Sequence, residues 1–271
     1  MSKRSDILDG TLFGTWTAEY GLVYTCNAGW IDLGHLNPHS ARPEIGAANL
    51  WNQVAAEGAP VLDPRCAPPP PLAGPLGAAY HALNKPEICD TDPRYKFSDG
   101  KTGYAVHYRQ DSASLPGKPG REGRYVIKKG LTVEEKKSVA LSIFIEVSLR
   151  FETLQLFAEW LGIGKSGFSQ EDLVSDLIGF YIGLGEISQY NALKACHPVS
   201  LKAAQRIWDS EGEVGANKNR SFSPMFAKQT GHDSAAVCRD ECQGQPRKFP
   251  RAFTRIKPVS KGHLFRDLHP F

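Results

Sequence analysis

Residues 132–162 read TVEEKKSVALSIFIEVSLRFETLQLFAEWLG, and this stretch decides the fold. Thr132 followed three residues later by Glu135 is the capping-box signature of a helix start, and Gly162 closes the pattern. Apolar residues recur between them at steps of three and four, namely Ala140, Ile143, Val147, Phe151, Leu154, Ala158 and Leu161. The remaining faces are also largely apolar, so the stretch predicts a buried central helix.

Two further helices are predicted downstream. Ser169 with Asp172 resembles a second N-terminal cap, and the apolar stretch after it contains Gly179 and Gly183 one turn apart, a spacing that permits close approach of another backbone. Residues 199–210, VSLKAAQRIWDS, predict a third helix.

The flanking segments have a different composition. Residues 58–76 include a run of four prolines, which predicts an extended surface segment. The pieces GYAVHYR (103–109) and GRYVIKKG (123–130) alternate like strands and predict a hairpin with a long tip. We therefore expect a single α+β domain, mainly α, over 1–271: an N-terminal loop and helix segment (1–57), the proline-rich segment and hairpin (58–130), a helical core (131–210) and an irregular wrap (211–271).

Composition limits the possible functions. The chain has 271 residues, of which 41% are hydrophobic and 23% charged, and this is ordinary for a globular protein. Its formal net charge of +3 is not the clustered charge of a nucleic-acid-binding protein. No apolar run reaches the roughly 20 residues needed to span a bilayer, so we expect neither a nucleic-acid partner nor a membrane span.

Six widely spaced cysteines bear on the compartment; they are Cys26, Cys66, Cys89, Cys196, Cys238 and Cys242. An even number without a CxxC motif favours disulfides in an oxidising compartment, although six buried thiols in a cytoplasmic protein remain the alternative. The N-terminal residues MSKRSDILDGTLFG lack the apolar core of a signal peptide. Secretion without a signal peptide is the expectation, with action in the periplasm of a target cell.

Glu146, Arg150 and Glu152 are the charged residues within the apolar part of the central helix. Buried carboxylates are costly unless they are paired, bound to a metal or used in chemistry. Glu146 and Arg150 are spaced i,i+4 and can pair, whereas Glu152 has no basic residue three or four positions away. Both glutamates are candidate catalytic residues, but they lie about 120° apart around the helix axis, so we expect one of them to be structural.

Residues 24–35, YTCNAGWIDLGH, contain a second group of candidates. Asp32 and His35 are three residues apart in a turn-rich segment, where a carboxylate can orient an imidazole that acts as a base or binds a metal. The alternative is that Asp32 caps the turn and His35 bonds to the backbone. Trp30, Asn37 and Arg150 are the candidate substrate-binding residues.

These residues carry a resemblance. The segments YTCNAGWIDLGHLNPHSARPEIGAANLW and EWLGIGKSGFSQEDLVSDLIGFYIGLG resemble a family of functionally uncharacterised bacterial proteins with a Cys-x-Gly-Gly/Ala-Phe-Ile-Asp-x-x-His segment and a later Phe-Ser-x-Glu-Asp-Leu helix start. The matching positions are Cys26, Gly29, Asp32, His35, Trp160, Gly162, Phe168, Ser169, Glu171 and Asp172. The chain departs from the pattern at Asn37 and Pro38. It also resembles toxin domains that bacteria deliver through contractile, type VI-type secretion systems.

The sequence thus predicts a hydrolase of bacterial peptidoglycan that acts as an antibacterial effector, with an immunity protein as a possible partner. In the first version it is a lysozyme-like glycosidase without a cofactor, in which Glu152 or Glu146 is the acid and Asp32 or His35 assists. In the second it is a zinc-dependent amidase or peptidase, with His35, His39 and Glu152 as ligands. The third version is a disulfide-stapled binding module without activity.

Overall fold

A computed structural model describes residues 2–57, 95–111, 120–162, 167–227, 240–242 and 247–268. The proline-rich segment 58–76, the hairpin tip at 112–119, Cys66, Cys89 and Cys238 lie outside these residues. The described chain forms six α-helices, a two-stranded sheet and a three-stranded sheet. This is the α+β, mainly α class that the sequence predicts.

The central helix is α3, Val133–Trp160. Its capping box is confirmed: the Thr132 backbone N–H donates to Glu135 Oε2 at 2.9 Å, and the Glu135 N–H donates to Thr132 Oγ1 at 3.3 Å. Burial extends from Val139 to Glu152 on the inner faces, but the last turns are solvated, with Phe157 56% and Trp160 78% exposed. The expectation of a helix buried along its whole length was therefore wrong for its C-terminal end, where no described element packs over these two rings.

The predicted hairpin is confirmed as β3 (Gly103–Asp111) and β4 (Gly120–Lys128), which pair antiparallel and lie against α3. The Tyr108 ring meets Phe144 of α3 with centroids 6.2 Å apart. A third strand, β5 (Phe265–Asp267), pairs with the other edge of β4. The C-terminal segment is therefore not wholly irregular as expected. The three residues that form β5 are too few to show a strand period.

Two 3₁₀ turns, Arg4–Asp6 and Gly10–Leu12, open the N-terminal part. A tight hairpin follows, β1 (Leu22–Thr25) and β2 (Gly29–Asp32), and then the single-turn helix α1 (Leu33–Leu36). Thr25 Oγ1 donates to the Gly29 carbonyl at 2.9 Å and closes the turn. Gly29 has φ +68°, and a Cβ there would lie 2.2 Å from the Met225 carbonyl oxygen. Only glycine fits this turn, because the backbone of 225 passes directly over it.

The hairpin is also tied covalently to the C-terminal part of the chain. Cys26 forms a disulfide with Cys242, 216 residues away in sequence. Cys196 is buried and is the free thiol among the described residues. One predicted crosslink is thus present.

The remaining helices surround this framework: α2 (Ala47–Ala55), α4 (Asp172–Gly183), α5 (Gln189–Cys196) and α6 (Leu201–Glu211). The prediction for 199–210 is confirmed by α6, which Ser200 caps. The helix predicted from Ser169 begins at Asp172, because the Asp172 carboxylate accepts from the Ser169 N–H at 3.1 Å and holds the preceding residues in a turn. None of the described helices is long and apolar enough to cross a bilayer.

Two glycines bring α4 into direct contact with its neighbours. A Cβ at Gly179 would lie 2.7 Å from the Leu36 carbonyl oxygen of α1, and one at Gly183 would lie 2.8 Å from the Ala48 nitrogen of α2. The predicted close approach is confirmed, and it sets α1 and α4 backbone to backbone.

Candidate active site

A large cleft opens where α1, the start of α4, the end of β3 and the second half of α3 meet. Its volume is about 1190 Å³, which is enough for several sugar or amino-acid units. The cleft is lined by His35 and Asp32 from the YTCNAGWIDLGH segment and by Glu171, Asp172 and Asp176 from the start of α4. Two elements far apart in sequence thus bring one imidazole and four carboxyl groups to one wall.

His35 lies between two carboxyl groups of α4. Its Nδ1 is 3.1 Å from Asp176 Oδ1, and its Nε2 is 3.6 Å from Asp172 Oδ1. The two aspartates are four residues apart and therefore share one face of the helix. The close packing of α1 on Gly179 sets the imidazole at the height of these side chains.

The surroundings of His35 favour its charged form. The ring is 30% exposed, but only to the interior of the cleft, so burial still lowers its pKa. The negative charge of Asp172, the hydrogen bond to Asp176 and the charge of Asp32 outweigh that effect and raise the pKa of His35 well above its ordinary value. We infer an imidazolium that donates a hydrogen bond to Asp176 and forms an ion pair with Asp172, rather than a free general base.

Asp32 has a different role from the one expected. Its Oδ1 accepts from the Gly34 N–H at 2.7 Å and caps α1, as the alternative interpretation required. Its backbone N–H donates to Ser175 Oγ of α4 at 2.9 Å. Asp176 and Asp172 orient the imidazole, so Asp32 is free to offer its second oxygen to the cleft.

Glu152 lies behind this wall and is fully buried. Its Oε2 accepts from the Phe168 N–H at 2.6 Å, while Oε1 has no hydrogen-bond partner among the described residues. Burial raises the pKa of Glu152 to about 7, against the lowering effects of His35 and the Phe168 N–H. Glu152 does not line the cleft, so its expected role as the acid that touches substrate does not fit its position.

Glu171 shares the altered titration of Glu152 but faces the cleft. Only 2% of its surface is exposed, and its Oε2 has no partner among the described residues. Burial raises the pKa of Glu171 to about 7, and that of its neighbour Asp172 well above its ordinary range. A carboxyl group with a pKa near neutrality, as Glu171 has, can both accept and release a proton, which suits proton transfer.

Two other sequence candidates lie away from the cleft. Glu146 forms ion pairs with Arg150 and with Lys261, which also pairs with Asp267 of β5. The predicted i,i+4 pair is thus present, and Glu146, like Glu152, does not line the cleft. Arg150 is held in that pair and lines a separate groove of about 440 Å³.

Trp30 does not offer an aromatic surface to substrate. Its ring is 3% exposed and packs edge-on against Tyr24 and Trp208, with centroids 5.3 and 5.9 Å away. Both faces of β2 are covered: Trp30 packs into one core cluster and the next residue, Ile31, which points to the opposite face, into another. Asn37 does line the cleft, where its side chain accepts from the His39 N–H at 3.0 Å.

The zinc interpretation has no assembled site. Among the described residues, no three or more His, Cys, Asp or Glu side chains converge at metal-ligand spacing. His35, whose two ring nitrogens both contact carboxyl oxygens, His39 and Glu152 are therefore not brought together as a ligand set. The donors that do gather around His35 are carboxylates, which favour hard cations over zinc.

Sequence reasoning missed Asp176 and gave Glu171 and Asp172 no chemical role. A signal was available, because three acidic residues in QEDLVSDLIGFYIG interrupt an otherwise apolar helix, two of them at i,i+4. Buried acids at helical spacing need a partner, and the partner in this fold is His35.

Comparison with known proteins adds no relative: no family model, no curated protein and no solved structure matches the chain.

Proposed function

We propose that the cleft is the active site of a glycoside hydrolase that acts on bacterial peptidoglycan. The observation that carries the proposal is Glu171, a cleft-lining carboxyl group whose pKa burial raises to about 7. A glycosidase needs such a group to protonate the leaving oxygen at neutral pH, together with a second carboxylate across the bond.

The roles follow from position. Glu171 is the general acid, because it is the protonatable glutamate that reaches the cleft. Asp32, with one oxygen held by the Gly34 N–H, supplies the second carboxylate, which directs water or stabilises the positive charge that develops on the sugar. His35 is a positioning residue that fixes Asp172 and Asp176 and balances part of their charge.

Glu152 supports the wall from behind. Through the Phe168 N–H it anchors the turn that leads into Glu171, and Phe168 has φ +55°, an unusual value for a residue with a side chain. We assign Glu152 the task of holding this turn.

The disulfide supports the proposed place of action. Cys26–Cys242 ties the hairpin that carries Asp32 to a segment over 200 residues away, and such crosslinks form in oxidising compartments such as the periplasm. The proposal therefore includes delivery into the periplasm of a target cell as an antibacterial effector, with an immunity protein to protect the producer. Growth arrest should appear when the chain is directed to the periplasm and be absent when it is kept in the cytoplasm.

The central experiment is mass analysis of the soluble products after purified peptidoglycan is incubated with the protein. New reducing-end sugars are expected, and Glu171→Gln should lower their rate of release by about 10²-fold or more, the scale of a lost acid. Glu19→Gln, at an exposed acid of the cleft rim, is the matched control and should retain the rate.

Other products would overturn the proposal. Free stem peptides would identify an amidase, and the absence of any product would leave a binding module. Equal activity of the Glu171→Gln protein would remove Glu171 as the acid even if sugars are released.

A further inference from the structure

The cleft is strongly acidic although the chain carries a net charge of +3. Of the described residues that line it, nine are Asp or Glu and two are Lys or Arg. These two cations are neutralised inside the cleft, since Arg42 pairs with Asp111 at 2.6 Å and Lys218 with Glu159 at 2.8 Å. The imidazolium of His35 is neutralised in the same way by Asp172 and Asp176. The surplus of carboxyl groups creates a negative potential that attracts a positively charged group and repels an anion.

The wall around His35 contains acceptors that the protein leaves unused. Glu171 Oε2 has no hydrogen-bond partner among the described residues, although the side chain is 2% exposed and lines the cleft. His35 is already shared by Asp172 and Asp176 and cannot serve it as well. A buried carboxyl oxygen without a donor destabilises the fold, and a donor on a ligand would remove that cost.

We propose that the cleft recognises a primary ammonium group on its ligand, which donates hydrogen bonds to Glu171 Oε2 and to the adjacent acids of the wall, while the proton that Glu171 gives as the acid is held on its other oxygen. The inference deepens the proposed function, on which it rests for the identity of the polymer, by naming the substrate class as a cell-wall unit that carries a free amine. An ammonium group has three donors and no acceptor, so it matches a wall of acceptors.

An ammonium group fits the wall better than a metal ion does. The described side chains do not converge at metal-ligand distances. An ammonium group needs acceptors only at hydrogen-bond distances of about 2.8 Å, and it arrives attached to an organic body that the 1190 Å³ cleft can hold.

Two parts of a cell wall supply this chemistry, namely an amino sugar that has lost its acetyl group and the side-chain amine of a basic residue in the stem peptide. Calorimetric titration of the full chain with two matched pairs distinguishes them. The first pair is a glucosamine oligosaccharide and its N-acetylated form; the second is a lysine-containing peptide and its ε-N-acetyl form. In at least one pair, at neutral pH, the free amine should bind tenfold or more tightly, a difference of about 1.4 kcal/mol that suits a hydrogen bond to a charged group.

Variants locate the effect. Glu171→Gln should abolish most of the preference for the free amine, whereas Glu19→Gln, at the exposed rim, should retain it. Equal affinity within both pairs, measured on the unaltered protein, would overturn the inference whether or not any variant folds. Binding of calcium, magnesium or manganese ions alone, with no preference for amines, would overturn it as well.

Failure of the inference and failure of the proposed function give different results. Release of reducing sugars without amine preference would reject the ammonium site and keep the hydrolase. Amine preference without release of sugars would keep the ammonium site and reject the hydrolase, because the short ligands report binding and need not be cleaved.

Discussion

Replacement of Glu152 by Gln is expected to make the protein more stable in alkaline solution. The amide keeps the size of the side chain and can still accept from the Phe168 N–H, which now donates to Glu152 Oε2. The amide differs from the carboxylate in that it carries no charge that the fold must bury. The consequence depends on pH, because burial raises the pKa of Glu152 from 4.5 to about 7.

The direction of the pH effect follows from the number of protons that the folded and unfolded chains bind. Between these two values the folded chain holds a proton on Glu152 that the unfolded chain has released, so stability falls as the pH rises through this window, and the penalty remains above it. At 1.36 kcal/mol per pKa unit, a rise from 4.5 to about 7 costs about 3 kcal/mol. The side chain is fully buried, so solvent screening does not reduce this figure much.

Thermal unfolding monitored by circular dichroism provides the measurement. The two proteins should melt at similar temperatures near about pH 5, and the Gln variant should melt roughly 5 to 10 °C higher near about pH 9. Glu146→Gln is the matched control on the same helix; Glu146 contacts Arg150 and Lys261, so its replacement should bring no alkaline gain. A melting difference that does not change with pH, or a Gln variant that is weaker at high pH, would refute the assignment of Glu152 as a buried protonatable group.

The other predictions concern the imidazole, the crosslink, the thiols and the helix contact. His35→Ala should lower hydrolysis, because it removes the cation that fixes Asp172 and Asp176. The folded chain raises the pKa of His35 above 6.5, so the stabilising effect of the imidazole should be complete below that pH and be lost as the pH rises through the folded value, which melting over a pH series will show. Cys26→Ser opens a loop of 216 residues and should cost about 5 kcal/mol in a denaturant titration, and an unchanged midpoint would contradict the entropic account. Thiol titration of the unfolded chain without reductant should find at most two free cysteines. Cys196 should react only after unfolding, because it is buried and burial raises the pKa of its thiol. Six reactive thiols would contradict the crosslinks. Gly179→Ala should lower both the melting temperature and the activity, because the new methyl group would lie 2.7 Å from a carbonyl oxygen of α1, and an unaffected protein would show that the contact is loose.

Local signals in the sequence predicted the local structure. The capping box at Thr132, the helical pattern of 199–210 and the alternation in GYAVHYR depend on residues within a few positions of one another, and the structure has an element at each place. The three-residue strand β5 and the short helix α5 were not predicted, because their stability comes from pairing and packing with distant residues.

Only part of the candidate site was predicted from the sequence. Asp32 and His35 were found because they lie together in sequence, but the side chains that complete the wall are 136 or more residues further along the chain. Glu152 and Trp30 were identified by type, and type does not say which way a side chain points. In the structure Glu152 is fully buried behind the wall, and Trp30 packs against other aromatic rings in the core.

The contact of α4 with α1 has a consequence for how this protein tolerates sequence change. At Gly179 the two backbones meet with no side chain between them, so the distance from His35 to Asp176 does not depend on which apolar residues fill the surrounding core. Substitutions of Leu, Ile, Val or Phe elsewhere can accumulate without altering that distance. A saturation library of α4 scored for activity should therefore show a nearly invariant position 179 among apolar neighbours that accept one another.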